Sequence, residues 1–254
     1  MDLLKGKCGL VIGIANEHSI ASGCARVFSA WGADLAVTYL NEKSKTYVQP
    51  IATEVKAKML LPLDVQDDQQ LDAVFEQVTK QWGKLDFVLH SIAYCPQKDL
   101  HGRVIDCSRE GFSQAMDISC HSFLRIAKKA EPLMKDGGCI LTVSYYGAEK
   151  VVEHYNIMGP VKSALESSVR YLAAELGPAG IRVNALSPGP LQTRAASGIA
   201  SFDKLIDDAR SRAPTRHLVS IEDVGNVAAG LVSDAAKNVT GNITFIDAGY
   251  HVMA

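Results

Sequence analysis

The chain has 254 residues, 47% hydrophobic and 21% charged, with 26 Lys and Arg against 28 Asp and Glu for a net charge of −2. A chain of this size can bury a full core without staples, and a near-neutral balance with no dense basic run argues against a nucleic-acid partner. No stretch approaches the roughly 18 consecutive apolar residues of a membrane span, and the apolar run in the opening MDLLKGKCGLVIG is too short for a signal peptide.

The first apolar run, CGLVIG (8–13), has, like each of the six strand runs after it, the apolar, β-branched character of a strand buried on both faces of a parallel sheet. It leads through G-I-A-N-E-H-S-I-A, Gly13 to Ala21, into a helical stretch. The first β–α turn of such a sheet is where a dinucleotide pyrophosphate settles, because backbone N–H groups and the helix dipole favour an anion. The usual G-x-G-x-x-G is missing. Gly13 permits a tight turn, Ala15 keeps the approach narrow, and Ser19 offers a hydroxyl and a backbone donor at the helix start. A plain strand–turn–helix explains the same residues.

The second run, DLAVTY (34–39), ends in T-Y-L-N-E-K, where NADP enzymes tend to place Arg and NAD enzymes a carboxylate. Leu40 and Asn41 stand where a basic pair would serve NADP, with Lys43 beside them, so NAD(H) is favoured over NADP(H). The third run, KMLLPL (58–63), brings Asp64 to the same carboxyl edge, as a ligand group or as a cap of the following helix. That helix repeats apolar residues at Leu71, Val74, Phe75 and Val78. DFVLHS (86–91) and CILTVS (139–144) are the fourth and fifth strands.

After the fifth comes YYGAEKVVEHYNIMGPVK, Tyr145 to Lys162, with three tyrosines ahead of one lysine. On a helix, Tyr155 and Lys162 would lie about two turns apart on nearly one face. Pro160 is tolerated only near a first turn, so the helix is expected to begin close to Tyr155. A helix-start tyrosine and a solvated lysine would show the same spacing. Adjacent strand residues point to opposite faces, so Tyr145 and Tyr146 cannot both face one site.

IRVNALS (181–187) is the sixth strand. Beyond it, PLQTRAASGIASFDKLIDDA sets Ile199, Phe202, Leu205 and Ile206 on one helical face, either a surface helix or a lid over an apolar ligand. Lys204, Arg210 and Arg212 alternate with Asp203, Asp207 and Asp208 there, as a solvated face or as a dock for an acidic partner. SIEDVGNVAAGLVSD opens with a capping box, Ser220 three residues before Asp223, and ITFID (243–247) is the seventh strand. Alternating β and α without repeat or linker predicts residues 1–254 as a single Rossmann-like doubly wound α/β domain, about seven parallel strands with helices on both faces. The cysteines at 8, 24, 95, 107, 120 and 139 contain no C-x-x-C pair and read as reduced thiols of a cytoplasmic protein. Neither they nor the seven histidines have metal-ligand spacing, and no metal is expected.

Together H-S-I-A (90–93), S-Y-Y-G-A-E-K (144–150), Y-N-I-M-G-P-V-K (155–162), R-V-N-A-L-S-P-G-P (182–190), A-A-S-G-I (195–199) and the closing E-D-V-G-N…F-I-D-A-G resemble the short-chain dehydrogenase/reductases. Within them the chain is similar, over essentially its whole length, to the FabI-type enoyl-[acyl-carrier-protein] reductases of bacterial fatty-acid synthesis. The resemblance implies NAD(H) bound by Gly13, Ser19 and Ile20, adenine held by Asp64 and Val65, and Leu40 near the adenosine ribose in place of the family's glutamine. It implies Ile92 along the cofactor, Lys162 on the nicotinamide ribose, and Leu191, Gln192, Thr193, Arg194 and Ala195 around the carboxamide and pyrophosphate. Of the tyrosines it selects Tyr155 and Tyr145 as catalytic and leaves Tyr146 to packing. Tyr94, Cys95, Ala196, Ile199 and Phe202 would line the acyl pocket, with a small helical lid over about residues 190–212.

The implied reaction sends hydride to C3 of a trans-2-enoyl thioester. The enolate oxygen would be stabilised by Tyr155 and a cofactor ribose hydroxyl, the ribose being held by Lys162. An acyl-carrier protein would bring the substrate, and relatives are commonly homotetramers. Two alternatives stand beside it: a carbonyl reductase of 3-oxoacyl substrates using Ser144 with Tyr155, and a non-catalytic dinucleotide-binding protein.

Overall fold

The computed structural model describes residues 2–191, 193 and 202–253, the side chains of 202–204 excepted. Seven parallel strands form one sheet in the order β3-β2-β1-β4-β5-β6-β7. They are β1 (Cys8–Ile12), β2 (Asp34–Tyr39), β3 (Met59–Pro62), β4 (Phe87–His90), β5 (Gly138–Val143), β6 (Ile181–Pro188) and β7 (Ile243–Ile246). This is the Rossmann-like architecture expected. Each apolar run forms its strand, and the alternation of side chains sorts each strand's residues between two cores. Val11, Val37, Leu89, Leu141 and Leu186 pack on one face, and Leu10, Ala36, Val88, Ile140 and Val183 on the other.

The first core is covered by α1 (Ile20–Ala30), α2 (Glu42–Glu54) and α9 (Ile221–Val232). The second lies under α3 (Asp68–Trp82), α6 (Ser122–Ala130) and α7 (Met158–Leu176). Leu71, Val74, Phe75 and Val78 are the buried stripe of α3, and Ser220 with Asp223 makes the reciprocal capping box of α9. One expectation fails at the rims. β3 is half-buried with Pro62 exposed, and β7 buries only Ile246 fully, because each is an edge strand with a neighbour on one side only.

Two features set the geometry of the carboxyl edge. α1 and α9 touch backbone to backbone: a Cβ on Gly23 would come 2.4 Å from the carbonyl oxygen of Ile221, and one on Gly225 would come 2.8 Å from that of Gly23. On the other face, after the short α4 (Gln97–Leu100), α5 (Arg109–Met116) runs through a π-helical turn, Asp117–His121, into α6. α8 (Phe202–Arg212) lies beyond β6.

Candidate active site

β1 and β4 are neighbours, but the chain leaves them for opposite sides of the sheet, which opens a crevice at their carboxyl ends. Gly13 turns there with φ +107°, and a Cβ would stand 2.0 Å from Ser91 O, so only glycine lets the turn pass the chain leaving β4. Ser19 precedes α1, yet its hydroxyl does not cap the helix. It accepts the N–H groups of Ala15 and Asn16, each at 3.0 Å, and so pins the turn instead of standing free. The amides of Ile20 and Ala21 open a helix with no acidic residue in its first turn. First-turn amides have no intrahelical acceptor, and the dipole favours an anion, so the crevice suits a dinucleotide pyrophosphate.

Of the other expected cofactor residues, Leu40, Asp64 and Ile92 follow the carboxyl ends of β2, β3 and β4. Ile20, Ile92 and Leu191 are half-buried against the cores, and the Thr193 N–H donates to Leu191 O at 2.8 Å. Leu40 is exposed at the end of β2, while Asn41 caps α2 together with Ser44. Asp64 accepts the Gln66 N–H at 3.0 Å; the cap of α3 is Asp67, not Asp64. The side chain of Val65 is buried in the core, so any contact it makes with a ligand goes through its backbone. Gln192, Arg194, Ala195, Ala196 and Ile199 lie outside the described residues, as does the side chain of Phe202, the first residue of α8.

Tyr145 is extended just past β5, and its ring stands edge-on to Tyr155, with centroids 4.8 Å apart at 62°. The helix begins near Tyr155 as Pro160 requires, but Tyr155 sits before it, in a turn between His154 (φ 64°) and Asn156 (φ 47°). Asn156 is held in this left-handed conformation by donating from Nδ2 to Leu100 O at 2.6 Å. The intact two-turn helical span imagined from sequence is therefore replaced by a turn feeding a helix. Burial pushes both phenols well above the ordinary tyrosine range, so both remain protonated donors. The Tyr145 hydroxyl is buried with no hydrogen-bond partner among the described residues. Tyr146 points elsewhere, edge-on to Tyr250 at 5.8 Å, as a packing residue.

Lys162 is buried, and its Nζ donates to Val143 O at 2.6 Å. Burial lowers its ammonium from 10.5 to about 8, against the smaller supporting effects of Cys120 and Glu166. An ammonium has three donors, so two remain for a ligand. Ser144, the serine that a carbonyl reductase would use, donates to Glu166 Oε1 at 2.5 Å and is 3% exposed. Deeper still, His90 bridges Thr142 Oγ1 and Ser122 Oγ, each at 2.8 Å. The Ser122 hydroxyl donates to Ile118 O at 2.6 Å, so it accepts from His90 Nε2–H, and Nδ1 in turn accepts from Thr142. Burial, with Lys162 nearby, holds this imidazole neutral, at about 3.

On the substrate side, Cys95, Leu100 and Tyr145 pack around Tyr155, Met158 and Ala115. Burial pushes the Cys95 thiol up to about 11, so it is no nucleophile at neutral pH. Tyr94 is exposed, with its backbone clasped by Ser119: its N–H donates to Ser119 Oγ at 2.9 Å, and that hydroxyl donates to Tyr94 O at 3.0 Å. Arg210 pairs with Asp207 at 3.4 Å and Arg212 with Asp208 at 3.1 Å, while the side chain of Lys204 lies outside the described residues. Sequence reasoning missed Glu166, His90, Ser119 and Ser122. A glutamate among Val161, Leu165 and Val169 on the buried stripe of α7 was the one available signal. Among the described residues no group of three or more His, Cys, Asp or Glu is placed to hold a metal ion, and no helix is long and apolar enough to cross a membrane.

A doubly wound parallel sheet with a dinucleotide crevice at its switch point, and a buried tyrosine and lysine beside it, defines a nicotinamide-dependent oxidoreductase. Residues 13–251 match the family model described as enoyl-(acyl carrier protein) reductase, and the chain belongs to that family. It is 48% identical to enoyl-[acyl-carrier-protein] reductase [NADH] 1 of Rhizobium meliloti over 99% of this chain and 92% of the relative. A reductase structure from Anaplasma phagocytophilum in complex with NAD superposes with a TM-score of 0.95 at 48% identity, covering 98% of this chain and 95% of that one. The Bacillus cereus reductase, with NADP+ and an indole naphthyridinone, superposes with a TM-score of 0.97 at 42% identity over 100% of both chains.

Proposed function

We propose that the protein is an NADH-dependent enoyl-[acyl-carrier-protein] reductase, reducing the trans-2 double bond of enoyl thioesters in fatty-acid synthesis. Bound NADH supplies hydride to C3 of the substrate. Negative charge then collects on the thioester oxygen, where the Tyr155 hydroxyl donates to it as an oxyanion donor, and a proton delivered to C2 completes the reduction. Lys162 holds the nicotinamide ribose with the donors that Val143 leaves unused, and Gly13, Ile20 and the first turn of α1 take the pyrophosphate. Tyr145, with its unpartnered hydroxyl, lines the acyl pocket beside Cys95 and orients the thioester.

The observation that carries enoyl over carbonyl reduction is the inward hydrogen bond of Ser144 to Glu166. Reduction of a ketone needs a second donor on the oxygen of the carbon that receives hydride, and Ser144 is turned away from that place. Tyr145 takes the strand-end position instead. NADH is preferred because the end of β2 offers no arginine, and Lys45 is drawn back over Tyr39 and toward Glu42. The reading also includes an acyl-carrier protein as donor of the substrate, a cytoplasmic homotetramer, and residues 1–254 as one reductase domain whose segment 190–212 covers the acyl chain. Within that segment α8 leans on the C-terminal residues: Tyr250 donates to Asp208 Oδ2 at 2.6 Å.

The test is a spectrophotometric comparison of NADH and NADPH with crotonyl and acetoacetyl thioesters. The expected result is NADH oxidation with crotonyl thioester and little with acetoacetyl thioester. The opposite preference would replace this reading with carbonyl reduction, and NADH binding without any turnover would leave a non-catalytic dinucleotide-binding protein.

A further inference from the structure

Glu166 is a buried carboxylate that the reaction above does not use. It lies on α7 one turn beyond Lys162, so the two side chains share a helix face. Both grip the end of β5, Lys162 through the carbonyl of Val143 at 2.6 Å and Glu166 through the hydroxyl of Ser144 at 2.5 Å. The next residue in the chain is Tyr145, edge-on to Tyr155 at 4.8 Å. Three consecutive residues of the strand end are therefore held by the arm that runs from Tyr155 into α7: one by a ring, one by an amine and one by a carboxylate. Glu166 and Ser144 are 4% and 3% exposed. Desolvating a carboxylate to this degree opposes folding unless its hydrogen bonds and charge partners offset the cost.

We infer that Glu166 is a positioning residue for the enoyl reduction proposed above, fixing through Ser144 the strand end that presents Tyr145 to Tyr155 and carries the carbonyl that orients Lys162. Its catalytic readout rests on that reading; its effect on NADH binding does not. Lys162 is faced by Glu166 on its own helix, by Cys120 on the π-helical turn and by His90 on β4. Glu166 is faced in turn by Arg170 on α7 and by Glu149 after β5. His90 is neutral and burial keeps the Cys120 thiol protonated. Burial also raises the Glu166 carboxyl, against which the Ser144 hydrogen bond and Lys162 itself favour its ionised form, so Glu166 is the anion that helps Lys162 retain its proton.

Two substitutions separate charge from hydrogen bond. Glu166→Gln keeps an acceptor for Ser144, while Glu166→Leu removes it; Ser144→Ala removes the donor with Glu166 intact and serves if the leucine variant does not fold. The NADH dissociation constant is followed by nucleotide fluorescence from about pH 6 to pH 10, with kcat and KM for crotonyl thioester. Glu166→Gln is expected to keep kcat within about threefold, while NADH affinity is lost at a pH lower by about half a unit or more, because Lys162 sheds its proton earlier. Glu166→Leu and Ser144→Ala should lower kcat about tenfold or more with KM changed less than about threefold. Parental kcat in folded Ser144→Ala, or an unmoved alkaline limb in Glu166→Gln, would overturn the inference. If the parent turned over no enoyl thioester, the functional reading would fall while the NADH limb still decided the role of Glu166.

Discussion

Replacing Lys162 by Met should stabilise the protein while weakening its hold on NADH. The side chain is 4% exposed, and burial takes its ammonium from 10.5 to about 8. At about 1.4 kcal/mol per pH unit, the buried charge costs roughly 3 kcal/mol near neutrality. Methionine fills a similar volume without that cost but leaves Val143 O without its donor, a loss of about 1 kcal/mol. The net gain of about 2 kcal/mol corresponds to roughly 4–8 °C in Tm for a chain of this size. The lysine's folded pKa is depressed, so its penalty is in full force below about 8 and relieved as pH rises toward the unfolded value of 10.5. The difference between variant and parent should therefore be largest near pH 7 and shrink toward pH 10, other titrations cancelling between the two proteins. NADH should bind about ten- to a hundredfold more weakly, as expected for losing a charged hydrogen bond. Thermal melts across pH, with a nucleotide titration, test both signs. A variant that melts no higher than the parent at pH 7, or a gap that stays constant with pH, refutes the reasoning.

The two phenols should separate by kinetics. Tyr155→Phe keeps the ring contact with Tyr145 and removes only the donor, so kcat for crotonyl thioester should fall about a hundredfold with NADH affinity within about twofold; steady-state rates and fluorescence titration check it. Tyr145→Phe removes a buried hydroxyl that has no partner among the described residues, and should raise stability in urea by up to about 1 kcal/mol while costing less turnover than Tyr155→Phe. Gly13→Ala places a methyl 2.0 Å from Ser91 O at φ +107°, so the β1 turn must shift. Loss of detectable NADH binding with about 2 kcal/mol or more of destabilisation is expected by titration and melting.

Much of the fold was legible because each strand is a short run of β-branched and aliphatic residues between helical patterns, and such runs have few other uses in a chain of this composition. What failed was burial at the rims: β3 and β7 carry the same apolar signature as the central strands, and sequence alone does not say which strand stands at an edge. The Tyr-x6-Lys spacing located the site, but not the break at Asn156, whose left-handed turn depends on a tertiary bond to Leu100 O. Ser19 was read as offering its hydroxyl to a ligand; an N-cap serine normally accepts from the first amides of its own helix, but here the loop folds back and uses that oxygen itself. The π-helical turn at 117–121, which packs against α7, was invisible, since its residues continue an ordinary helical pattern. Glu166 escaped for a related reason: a glutamate in a helix reads as solvent-facing until the serine it serves is known.

The backbone contact of Gly23 with Gly225 ties the order of synthesis to the first working cofactor site. A nascent chain emerging from the ribosome completes β1 and α1 early, yet the surface of α1 that faces α9 stays bare until about two hundred further residues have been made. Nucleotide capture is thus expected to come late in biogenesis, and a chain stalled before residue 221 should expose an apolar helix face that chaperones recognise.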